Sequence, residues 1–128
     1  MLSGRRMPAF CTAGGVAMLA YRPPSETAAT LDRSAPTPVT EHTIVDRRQI
    51  QARIDTARER GYDIGVSQAV VNEISTAAPI LDVHGTAVGA VQIPVFRPEW
   101  TVQRVEADIA PLATETARAI SGTLLGLR

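Results

Sequence analysis

The chain has 128 residues, enough for one domain with a sizeable core. Hydrophobic residues make up 45%, aromatics only 4%, and 13 basic residues balance 13 acidic ones, so there is neither excess cation for phosphates nor a base-stacking surface. The single cysteine, Cys11, excludes an internal disulfide and fits a reducing compartment.

Arg5 and Arg6 precede an apolar stretch that ends at Ala20, the outline of a signal peptide. Thr12, Gly14 and Gly15 interrupt it, and Met18-Leu19-Ala20 lacks the small residue three places before a cut. The segment therefore reads as part of a cytoplasmic protein. No run approaches the ~20 apolar residues of a membrane span. Pro8–Ala20 is instead the stretch that organises the chain. Thr12-Ala13-Gly14-Gly15 reads as a glycine turn, and Val16-Ala17-Met18-Leu19-Ala20 favours helix. Such a turn presents free helix N–H groups that suit a small anion. The same residues fit a loop before a buried helix, and a lone Gly-Gly does not separate the two readings.

Pro23-Pro24 ends this helix, and Ser25 is the expected cap of a short second one over about Ser25–Arg33. Ser34–Thr40, with Pro36 and Pro38, reads as a loop or edge segment. Asp46 begins the clearest helix, with Gln49 at capping-box spacing and Ile50, Ile54 and Ala57 forming one apolar stripe. Arg58 and Arg60 suit its C-terminal end, and Gly61 its termination. The five arginines between Asp46 and Gly61 alternate with Asp55 and Glu59, and read as a solvated face rather than a DNA-binding one.

Tyr62–Ser67 reads as a strand, and Gln68–Asn72 as a connection. Glu73–Leu81 alternates Ile74, Thr76, Ala78 and Ile80 against Ser75, Ala77, Pro79 and Leu81. Asp82-Val83-His84-Gly85 is a hairpin turn that Asp82 shapes, with Gly85 free to take a positive φ. Thr86–Val95 returns as the partner strand, and Pro94 belongs at an edge or strand end. After a Thr101 cap, Val102, Val105, Ile109, Leu112, Thr116, Ala119, Thr123 and Leu127 step by three or four. They describe a long amphipathic helix with a kink point at Pro111. The pattern is α+β with an antiparallel sheet, in one domain over 1–128.

Little in the chain points to chemistry. Cys11, His42 and His84 lie at no metal-ligand spacing, and no metal or cofactor is expected. No serine elbow, phosphate loop or paired carboxylate is found. Cys11 reads as a buried structural thiol, and a histidine brought close by the fold would leave open a small thiol enzyme. What remains is a pocket, where Thr12 and the glycine turn meet Ser75 and Gln92.

Arg6-Met7-Pro8 is followed by Thr12-Ala13-Gly14-Gly15 and Met18-Leu19-Ala20. Thr43-Ile44 precedes the Asp46 helix, which ends Arg58-Glu59-Arg60-Gly61-Tyr62. Ser75-Thr76-Ala77-Ala78-Pro79-Ile80-Leu81-Asp82 then leads to Gly85. In this order, from about Arg6 to Leu125, the segments resemble the effector-binding domain of IclR-family bacterial transcriptional regulators. The resemblance implies a GAF-like α+β fold, helices flanking an antiparallel sheet, and a long C-terminal helix. It implies a small organic-acid effector, no catalysis, and assembly as a homo-oligomer or with a full-length regulator. Family members carry a winged helix-turn-helix domain, a linker helix and first strands ahead of the Pro8 segment. The chain therefore looks like an effector domain incomplete at its N-terminus, with no DNA or membrane contact of its own.

Carried over residue by residue, the resemblance places the effector at Ala13 and Gly14 beside Thr12, with Met7 on the approach. It adds Gly65, where relatives often have an acidic residue, then Ser75, then Gln92 and Pro94, where relatives often have serines. Phe10 stands where a histidine is common, Val16 where a lysine is common, and Asn72 where a glycine is common. These departures leave open a second reading, a ligand-free structural fragment that pairs with full-length regulators.

The charge balance and the missing recognition module generate one prediction. In a gel shift at moderate salt, this chain alone is expected to show no sequence-specific DNA binding. Nanomolar affinity for one operator would overturn that.

Overall fold

The structure is a computed structural model that describes residues 9–33 and 35–126. Its elements are α1 (Ala13–Ala20), α2 (Pro24–Asp32), α3 (Arg47–Arg60), β1 (Asp63–Val66), β2 (Glu73–Leu81), β3 (Ala87–Phe96), α4 (Val102–Asp108) and α5 (Ala110–Gly126). The strands form an antiparallel sheet in the order β1-β2-β3. This is the expected α+β architecture, with helices on both faces of the sheet.

Local chemistry explains most boundaries. Thr12 caps α1, its Oγ1 accepting from Gly15 N at 3.1 Å. Gly14 and Gly15 are therefore not a turn ahead of the helix but part of its first turn. Gly15 is required by proximity, since a Cβ there would lie 2.4 Å from the Ala9 carbonyl oxygen. Helix α2 starts with Pro23 as cap and Pro24 as first helical residue, without a side-chain cap. Ser25 is not the cap, because the preset φ of proline already starts the helix. Asp46 Oδ1 caps α3 by accepting from Arg48 N and Gln49 N at 2.9 and 3.0 Å. Gly61 ends α3 at φ +89°. In the hairpin, Asp82 Oδ1 accepts from His84 N and Thr86 N, and Gly85 takes φ +77°. Asn72 holds φ +67°, a left-handed conformation that asparagine tolerates better than most residues.

Two faces follow from the strand alternation. Asp63, Gly65, Ser75, Ala77, Gln92 and Pro94 share the face toward α1 and α3. There Ala77 packs against Ala13 and Ala17, small residues that let α1 lie close to the sheet. Phe10 and Val16 join Leu19, Ile50 and Ile54 in a core between α1 and α3. On the other face, Ile74 packs with Val105 and Ile109, and Ala78 with Ala113 and Ala117. An incomplete sheet would leave part of Ile74, Ile80, Val91 and Val95 wet; here Ile74 is fully buried and the other three are half-buried against these clusters.

The last helix departs from its predicted stripe. It breaks at Ile109 into α4 and α5, with Pro111 the second residue of α5. Beyond Ile109 the buried series is Ala113 and Ala117, while Leu112 is 50% exposed and Ala119 and Thr123 face outward. Both series step correctly from Ile109. The alanines are the ones that allow close contact with Ala78, so the smaller stripe packs and the larger one faces outward. Leu127 lies outside the described residues.

The ladder also places Pro94. Arg97 N donates to Asn72 O at 3.0 Å, so Glu73 and Phe96, and two residues on Ser75 and Pro94, are non-hydrogen-bonded pairs. The Pro94 nitrogen therefore points away from β2, at the outer edge of β3, and costs the sheet no bond.

Val88 and Phe96 on β3, and Leu112, Ile120 and Leu124 on α5, are exposed apolar side chains. Burying each one stabilises an association by up to roughly 1.5–3 kcal/mol. Sedimentation velocity is expected to show concentration-dependent self-association, reduced in the double variant Leu112→Glu/Ile120→Glu. A monomer at every concentration would show that these surfaces do not associate.

Candidate functional site

The N-terminal end of α1 stands over the sheet face that carries Gly65, Ser75 and Gln92. Thr12, Ala13, Gly65, Ser75 and Gln92 line one cleft there, joined by Gln68 and Glu73. Gly14 borders it through its backbone, donating from N to Gln92 Oε1 at 2.9 Å. Pro94 lies opposite Ser75 in the register but outside the lining. Met7 lies outside the described residues. The cleft volume is about 20 Å³, room for one water molecule.

Two features give the cleft its polarity. The helix N–H at Gly14, which the sequence offers to an anion, is already occupied by the Gln92 amide oxygen. A Cβ at Gly14 would lie 2.7 Å from that oxygen, so glycine is what admits it. Ser75 Oγ is buried, with Ser75 only 5% exposed, and among the described residues it makes no hydrogen bond. An orphaned buried hydroxyl costs about 1–3 kcal/mol, which a ligand oxygen or a water would relieve.

Beneath the cleft is a charged layer that the sequence reading missed. Arg53, counted above with the solvated arginines, points inward with its side chain 10% exposed. Its Nε and Nη2 donate to both oxygens of Asp63, the closest contact being 2.7 Å. Nη1 donates to Cys11 O at 3.1 Å. A Cβ at Gly65 would lie 2.5 Å from Nη2, so the missing side chain at 65 is what makes room for the guanidinium. A signal existed: Ile50, Arg53 and Ala57 step by three and four along the buried side of α3. Gln68 was equally hidden in a connection. Its Oε1 accepts from Ile44 N and its Nε2 donates to His42 O, both at 2.9 Å.

Titration behaviour follows from burial. Glu73, half-buried at the mouth, has its carboxyl pushed above the usual carboxylate range by desolvation. Cys11 is fully buried; burial raises its thiol pKa, and Arg53 opposes this more weakly. That environment disfavours a thiolate nucleophile. His42 and His84 are exposed. Among the described residues, no three His, Cys, Asp or Glu side chains gather to hold a metal. No described helix is long and apolar enough to cross a membrane.

Residues 2–122 match the family described as bacterial transcriptional regulator IclR C-terminal. The chain is 32% identical over 125 residues to the HTH-type transcriptional repressor AllR of Klebsiella pneumoniae, covering 98% of this chain and 45% of that protein. It superposes on a Rhodococcus transcriptional regulator with TM-score 0.92 and 29% identity, covering 100% of this chain and 52% of that one. The C-terminal domain of Escherichia coli KdgR gives TM-score 0.85 at 26% identity, covering 94% and 73%. The chain thus spans about half the length of AllR and of the Rhodococcus regulator. These relatives are transcriptional regulators, not enzymes.

The raised Glu73 carboxyl generates a prediction. The folded chain holds that proton more tightly than the unfolded one, whose value is near 4.5. Stability therefore falls as pH rises from about that value through the raised one. Glu73→Gln is expected to raise Tm at neutral pH by a small amount, given solvent screening at the cleft mouth, and to lose the advantage in acid. A lower Tm at neutral pH would show that the carboxylate is instead stabilised there.

Proposed function

The chain belongs to the IclR family of bacterial transcriptional regulators, and from that premise we propose that it is a cytoplasmic effector-sensing domain that binds a small organic acid at the N-terminal end of α1. One observation carries this reading. The Gln92 amide oxygen sits on the Gly14 N–H, where one oxygen of a carboxylate would sit, and the unpaired Ser75 hydroxyl is buried in the same cleft. On binding, the effector's carboxylate replaces Gln92 Oε1 at Gly14. Gln92 is exposed, so its side chain is free to swing aside and enlarge the cleft. Its Nε2 and the Ser75 hydroxyl then donate to the ligand. No bond in the acid is made or broken. The domain works as a homo-oligomer or paired with a full-length regulator.

A second reading has support of its own. A cleft that holds one water, with its helix N–H already taken, also fits a ligand-free domain kept for oligomerisation.

Calorimetry against a panel of small organic acids separates the two. A binder is expected, and Gly14→Val should weaken it by at least ~1–3 kcal/mol through clash and unpaired polar groups. Circular dichroism checks that the variant folds. If Gly14→Val leaves a binder unchanged, the site is misplaced. If no acid binds even the Gln92→Ala variant, the ligand-free reading stands.

A further inference from the structure

At the edge of the sheet, where β2 runs on beyond its pairing with β1, lies a groove of about 480 Å³, far larger than the cleft. It runs between α5 and the far end of β2, and does not share a residue with the cleft. The small side chains that seat α5, at Ala78, Ala110 and Ala117, leave this space open. Its volume falls within the range of ordinary small-molecule sites.

The walls are apolar and aromatic. Tyr21 is held by its hydroxyl, which donates to Arg58 O at 2.8 Å. Tyr62 lies under the Arg60 guanidinium, 4.4 Å from its centroid, and Arg60 Nε donates to Tyr62 O at 3.0 Å. Pro79 and Leu81 complete the sheet side. The backbone there is satisfied: Leu81 N donates to Ser121 Oγ at 2.9 Å, and Ser121 Oγ donates to Ala117 O at 2.8 Å.

The charges at the rim are not satisfied. Arg60 and Arg118 face one acid, Glu106, and among the described residues neither arginine makes an ion pair. Arg60 is fixed by its stacking and its bond through Nε, which leaves its terminal nitrogens available. The groove thus combines aromatic walls with a net excess of one cation.

We propose that this groove is a second small-molecule site, for a monoanion with an aromatic or branched apolar body. The body packs between the tyrosines and Pro79, and the carboxylate meets Arg118 and Arg60 at the rim. The site stands apart from the α1 cleft and does not depend on its ligand.

The probe is 3-phenylpropionate, titrated into the 128-residue chain and followed by amide NMR shifts. Saturable changes are expected at Gly61, Leu81 and Ser121. The uncharged 3-phenylpropionamide should bind more weakly, by up to about fivefold for each exposed charge pair lost. Arg118→Gln and Arg60→Gln, both at exposed positions where folding is not at stake, should each weaken the acid severalfold. The proposal is overturned if no saturable change occurs up to about 10 mM, beyond the weak millimolar range. It is equally overturned if the changes centre on Gly14, Ser75 and Gln92, or if the amide and both variants bind as well as the acid and the parent chain.

Discussion

The ion pair between Arg53 and Asp63 is the contact on which the α1 side of the sheet depends. Asp63 is 2% exposed and Arg53 10%, so both charges are taken out of water. Desolvation on that scale is tolerable only when the pair is close and its other donors are satisfied. Here the guanidinium binds both carboxylate oxygens and also reaches the Cys11 carbonyl. One side chain thereby joins α3, β1 and the segment entering α1. Removing either partner from such a pair typically costs about 3–5 kcal/mol, a large share of the stability of a domain this size. The pair also dictates Gly65, where any side chain would begin 2.5 Å from Arg53 Nη2.

With its floor fixed, the cleft is governed by hydrogen-bond supply at the first turn of α1. Thr12 takes the Gly15 N–H and Gln92 takes the Gly14 N–H. The Gly14 and Gly15 N–H groups are thus already paired, so under the proposed function effector binding would exchange one acceptor for another rather than fill an empty anion hole. A carboxylate oxygen is a stronger acceptor than an amide oxygen, by roughly a factor of two in bond strength, which favours the exchange. Glu73 at the mouth opposes it when ionised.

Small side chains set the distances on both faces. Ala13, Ala17 and Ala77 bring α1 onto the sheet, and Ala78, Ala113 and Ala117 bring α5 onto the other side. Close approach on the α1 side shrinks the cleft to the size of a water. On the α5 side the same economy of side-chain volume leaves a groove beside the helix, since Ala110 and Ala117 do not reach across it. The break at Ile109 and Pro111 turns α5 so that its alanines, not Leu112, meet the strand.

What the sequence determined by itself was local. The Asp46 cap, the Gly61 stop, the Asp82–Gly85 turn and the alternation of β2 are set by partners within a few residues, and each stands in the structure to within a residue or two. Five of the eight candidate site residues were also placed in one cleft, although only Thr12, Ser75, Gln92 and the glycines were suggested by residue chemistry. The rest came from family resemblance. Tertiary structure alone decided which way Arg53 points, that Gln92 reaches Gly14 across 78 residues of chain, and which of two equal helical stripes on α5 is buried. Helical spacing allows Arg53 on either side of its stripe, and it allows Leu112 or Ala113 after Ile109. The choice depends on the volume and the charge waiting on the opposite element, and those are contributed by residues far away in sequence.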